Sequence, residues 1–125
     1  MPVTYALDRE KELVVTVCSG RLVLHEVLEH FEELRADPRL PESLDVLLDL
    51  SAVTSLPHSD QLREVASAVD RLRSIVRWGR CAVVATRDAL FGMSRVFEAL
   101  TEQHFKQVMV FRERGDAETW LAQRP

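Results

Sequence analysis

Four histidines, two cysteines and a scatter of serines and carboxylates are the residues of this chain that could do chemistry, and their spacing decides which chemistry is open to them. His25 and His30 form the only close histidine pair. Five residues apart on a helix, they point about 140° away from each other and cannot share a metal ion. His25 and His30 are therefore expected as solvated surface groups, with His104 at the edge of the core. A serine hydrolase needs a nucleophile on a G-x-S-x-G turn beside a base, and Ser51, Ser55, Ser59 and Ser94 all lack the flanking glycines. Nucleotide phosphates would want a glycine-rich turn between strand and helix, whereas Gly20 and Gly79 stand alone. No cofactor motif and no metal set emerges, and the expectation is a protein without catalytic activity.

Two readings stay open for Asp49, an acid inside an otherwise apolar run: an anchor for the loop that follows, or a general acid or base. Cys18 and Cys81 lie far apart, each within an apolar stretch. They read as small hydrophobes in a reducing compartment, which places the chain in the cytoplasm.

These residues must be positioned by elements whose order follows from periodicity. Val3 to Leu7 alternates with period two, Leu13 to Cys18 is rich in β-branched residues, and five polar residues from Asp8 to Glu12 join them as a hairpin. Leu24, Val27, Leu28, Phe31 and Leu34 recur at helical spacing and predict a helix from Leu24 to Ala36, stopped by Pro38 and Pro41. Val46 to Leu50 and Cys81 to Ala85 lack alternation and are expected as inner parallel strands. Between them a helix opening at Pro57 and Ser59, with Ser59 as its N-cap, buries Leu62, Val65, Ala66, Val69, Leu72 and Val76 and ends at Gly79. Asp88 caps a third helix reaching to about Gln103, Val108 to Phe111 is the last strand, and Gly115-Asp116 starts a short helix carrying Trp120. The fold class is α/β in the order ββαβαβαβα, a mixed five-stranded sheet with an antiparallel N-terminal hairpin and four helices.

At 125 residues the chain is the length of one domain, and 46% apolar with 29% charged residues supplies both a core and a polar cover. Apolar runs of five residues or fewer predict neither a signal peptide nor a membrane span. A net charge of −4 opposes nucleic acid. The basic cluster Arg71, Arg73, Arg77 and Arg80 around Trp78 reads as the cation-rich end of a helix.

The segment Asp49-Leu50-Ser51-Ala52-Val53-Thr54, set in this element order, resembles the D-L-S-x-V-T segment of STAS domains, the anti-sigma-factor antagonist family. Where that family continues D-S-S-G or D-S-T-G, this chain has Pro57-His58-Ser59-Asp60; Ser59 matches the phosphoacceptor, while the acidic residue and the glycine are replaced. A nearer likeness is to the SpoIIAA-like, or STAS/SEC14-like, branch. It is carried by Asp88-Ala89-Leu90-Phe91-Gly92-Met93-Ser94-Arg95-Val96-Phe97-Glu98 and by the ending Val110-Phe111-Arg112 through Ala117, Trp120 and Leu121. The resemblance implies a non-enzymatic regulatory module with a protein partner. Its SEC14 side implies instead a carrier or sensor of a small apolar, lipid-like ligand.

Ligand sites in such sheets lie beyond the carboxyl ends of the parallel strands, here Asp49, Ser51, Thr54, Ser55, Thr86, Arg87 and Arg112. On the third helix Phe91 and Phe105 fall nearly opposite the core-facing arc. Either they anchor a homodimer rimmed by Arg95, Glu98 and Glu102, or Phe105 lies past the helix end and turns back into the core.

Overall fold

In the computed structural model, which describes residues 3–55 and 57–123, β1 (Val3–Asp8) and β2 (Leu13–Gly20) form the hairpin expected from their alternation, with Asp8 opposite Leu13. The turn between them closes through Glu12, whose φ of 51° lies in the left-handed region. Strands β3 (Ser43–Val53), β4 (Arg77–Val84) and β5 (Gln107–Phe111) extend the sheet in parallel, in the order β1-β2-β3-β4-β5. Val46 to Leu50 and Cys81 to Val84 thus fall in β3 and β4, two of the three inner strands, as their continuous apolar character requires, and Ala85 directly follows β4. The strands run beyond those cores because pairing with both neighbours continues past the apolar residues, as between Ser43 and Arg77.

Consecutive parallel strands laid down in one direction, joined by crossovers of a single hand, place every connecting helix on the same face. Accordingly α1 (Leu24–Ala36), α2 (Ser59–Leu72) and α3 (Asp88–Thr101) cover one side, where Leu34, Leu62, Val69 and Phe97 pack on Val14, Cys81 and Val83. The opposite side is covered by α4 (Arg114–Ala122), whose Ala117, Trp120 and Leu121 pack on Leu47, Ala82 and Val84. Both ends of α4 are tied to the sheet. Arg114 at its start donates from Nη1 to Asp49 Oδ2 at 3.1 Å, and Arg80 donates to the carbonyls of Trp120 and Leu121 at 3.0 and 2.8 Å. The Arg80 guanidinium also lies 5.1 Å from the centre of the Trp120 ring.

Three expected helix ends move. Helix α2 stops at Leu72, and Gly79 lies buried inside β4, so it is not a helix-terminating glycine. A side chain there would overlap Asp45 Oδ1, which accepts the Arg80 N–H at 2.8 Å; glycine is required by this close approach. The arginines around Trp78 consequently do not all share a helix end: Arg71 sits in the last turn of α2 and Arg73 at its C-cap, while Arg77 and Arg80 belong to β4. At the other end of α2 the cap is His58, whose N–H donates to Gln61 Oε1 at 2.9 Å, so Ser59 is the first helical residue and not the N-cap. Likewise Arg87 occupies the cap of α3, and the Asp88 carboxylate pairs with Arg112.

Candidate functional site

The polar residues at the carboxyl ends of the strands are brought close together but are committed to holding loops. Asp49 Oδ1 accepts the Ser51 N–H at 2.9 Å and the Ser51 hydroxyl at 2.6 Å, while Oδ2 takes Arg114. Burial raises its pKa, yet the bonds from Ser51 and Arg114 outweigh this and hold the carboxyl below its ordinary value. Asp49 is therefore the loop anchor of the two readings, and it lies on the α4 side of the sheet. The Thr54 N–H donates to Gly20 O, and Ser55 Oγ accepts the Leu22 N–H at 2.9 Å. Arg87 donates to the Val53 carbonyl, and Arg112 to that of Thr86. Together these bonds fasten the segments after β2, β3 and β4 to one another.

On α3 Arg95 pairs with Glu98 at 3.3 Å, whereas Phe91 does not stand outward as expected: it is half-buried against the cluster of Val53, Ala85 and Leu90, with the Arg112 guanidinium 4.4 Å from its ring centre. Phe105 does not stand outward either. The helix ends at Thr101, the chain turns, and Phe105 packs in the core with its ring 5.4 Å from that of Trp78. The large apolar side chain that α3 leaves exposed is Val96, which the helical spacing had not placed outward. Ser59 is exposed on the first turn of α2.

An apolar crevice lies between the sheet and α1–α3. A cavity of about 90 Å³ opens at the carboxyl ends of the strands, walled by Leu22, Val27, Leu50, Leu62, Met93 and Phe97 among others. A second, of about 60 Å³, continues toward α1 and is lined by Val14, Thr16, His30, Phe31 and Leu34. The two share Cys18, Val27, Leu48, Val65 and Phe97 in their walls, so they adjoin. Polar groups at the outer cavity are Gln61, occupied by the α2 cap, and Ser94, whose hydroxyl donates to Leu90 O at 2.8 Å. Burial pushes the Cys18 thiol up to about 12, as it does Cys81, so both are unreactive fillers of apolar space.

His30 departs from the surface position expected of it: it is buried between Tyr5 and Phe31, with ring centres 5.2 and 5.4 Å away. Its Nε2 lies 3.3 Å from Thr16 Oγ1, and its Nδ1 is buried without a hydrogen-bond partner among the described residues. Burial lowers its pKa to about 4, so the imidazole is neutral near pH 7. The signal was in the sequence: His30 stands three residues after Val27 and four before Leu34, on the buried stripe of α1. By contrast His104 lies at the core edge with Nδ1 3.5 Å from Asp70. Arg114 and Thr16 also escaped the sequence reading, because their roles depend on partners distant along the chain.

Among the described residues no group of three His, Cys, Asp or Glu side chains could hold a metal ion, and no helix is long and apolar enough to cross a membrane. Comparison of the chain with models of protein families, with characterised proteins and with solved structures gives no match.

Proposed function

We propose that this chain is a non-enzymatic binding domain that takes a small apolar ligand between its sheet and α1–α3. The observation that carries the reading is the pair of adjoining cavities between the sheet and α1–α3, the outer of which opens at the carboxyl ends of the strands, where open α/β sheets bind their ligands. At about 90 and 60 Å³ each exceeds the roughly 10–15 Å³ that one water needs. Their walls are aliphatic and aromatic, which suits apolar contents and repels water. The STAS/SEC14-like resemblance supports the same reading. Native mass spectrometry of protein purified without detergent tests it: the expected result is a mass above that of the chain, lost on denaturation. A bare chain mass, together with no chemical-shift change on adding toluene, would refute it.

A second reading, a regulatory module acting in the cytoplasm through a protein partner, is favoured by exposed Ser59 on the first turn of α2. This is where the resemblance places a phosphoacceptor, and added negative charge there meets the free N–H groups of the turn. Mass spectrometry of the protein from its native cells should then find Ser59 phosphorylated. In the same reading the surface of α3 around Phe91 and the Arg95–Glu98 pair forms a two-fold homodimer contact. Light scattering after size exclusion tests that contact, since Phe91→Glu should yield folded monomer from a dimeric wild type.

A further inference from the structure

We propose that the ligand of this crevice is a neutral hydroxyl compound, an alcohol or a phenol, whose hydroxyl hydrogen-bonds Nδ1 of His30. The proposal rests on the apolar-ligand reading above and adds the one polar contact that the ligand makes. The inner cavity is apolar but for two side chains, Thr16 and His30, and these already face each other through Thr16 Oγ1 and His30 Nε2. That leaves Nδ1 as a buried nitrogen with no partner among the described residues, on a ring 8% exposed and fixed on both sides by Tyr5 and Phe31. Buried polar groups are ordinarily paired, so an orphan on the wall of an apolar cavity marks where a ligand's polar group belongs.

The chemistry of that group follows from the surroundings. A carboxylate or phosphate would bring an anion into a cavity whose walls carry no lysine or arginine, at a desolvation cost with nothing to offset it. An amine would bring a cation to a site without a carboxylate. The imidazole is neutral, so Nδ1 either donates or accepts according to which nitrogen holds the proton. A carbonyl could answer only the donor form. A hydroxyl answers both, and the remaining body of the molecule fills the apolar space around Cys18, Leu48 and Phe97.

The test compares p-cresol with toluene, which differ by one hydroxyl, titrated into ¹⁵N-labelled protein and into His30→Phe. Both should bind the wild type. The affinity of p-cresol relative to toluene should be roughly five- to tenfold higher in wild type than in His30→Phe, the gain of one net hydrogen bond. In addition p-cresol, but not toluene, should shift the His30 Nδ1 resonance. If toluene binds while the ratio is the same in both proteins, or Nδ1 does not respond because a resident water holds it, the hydroxyl assignment is wrong and the apolar-ligand reading survives. If neither compound binds, both are wrong. Should His30→Phe fail to fold, the wild-type Nδ1 response decides alone.

Discussion

A neutral imidazole in an apolar wall makes stability depend on pH in a direction set by its burial. The unfolded chain takes up the His30 proton near pH 6.5, the folded chain only near 4. Between these values the unfolded state binds more protons, so stability is full above about pH 6.5 and falls as the pH drops toward 4. A displacement of this size corresponds to a loss on the order of 3 kcal/mol at the acid end. Urea denaturation at pH 7 and pH 4.5 should show that His30→Gln loses distinctly less stability on acidification than the wild type. An equal loss in both would mean that His30 is not buried as a neutral ring. Asp49 titrates the other way: its depressed value contributes stability above the ordinary carboxylate range that disappears on further acidification, below the histidine window. Comparing the two proteins at each pH separates these contributions.

At the scale of elements, α4 is short, and its attachment is concentrated in two arginines. Nine residues make a marginal helix on their own, so its stability must come from the sheet beneath it. Arg80 supplies two charge-assisted bonds to the last carbonyls of α4 and a cation–π contact with Trp120. Arg80→Ala should therefore cost about 2 kcal/mol, and hydrogen exchange should show α4 amides losing protection before those of β3 and β4. Uniform loss across the domain would place Arg80 in the general core instead. Gly79, one residue earlier, is the steric condition for this arrangement. Gly79→Ala would displace the Asp45 carboxylate from the Arg80 N–H and should destabilise the domain by about 1–3 kcal/mol in denaturant unfolding.

For the molecule as a whole, neighbouring leucines of β3 face opposite sides of the sheet and meet different surroundings. Leu47 points to the α4 face, is 1% exposed and meets Ala82, Val84 and Ala117. Leu48 points the other way and walls both cavities. Leu47→Ala should cost about 2–5 kcal/mol through a new void. Leu48→Ala should cost less, because it widens space already open, and it should tighten toluene binding relative to wild type. Equal costs with no change in binding would indicate that the crevice is closed in solution.

Local rules carried the reading of the sequence as far as they reach. The alternation of Val3 to Leu7, the helical spacing from Leu24 to Leu34 and the unbroken runs in β3 and β4 sufficed for the element order and the mixed sheet, because periods of two and 3.6 residues are written within a few positions. Even Asp49 was legible as an anchor, since its partner Ser51 lies two residues on. What escaped depended on residues far apart in the chain. Gly79 could be placed in a strand only by Asp45, 34 positions earlier, and Arg80 found its role at Leu121, 41 positions later. Phe105 turned inward because Trp78 was there to meet it. The crevice itself has no sequence signature: the apolar stripes of α1, α2 and α3 each specify a face to bury, but how closely three such faces meet one sheet is set by packing alone.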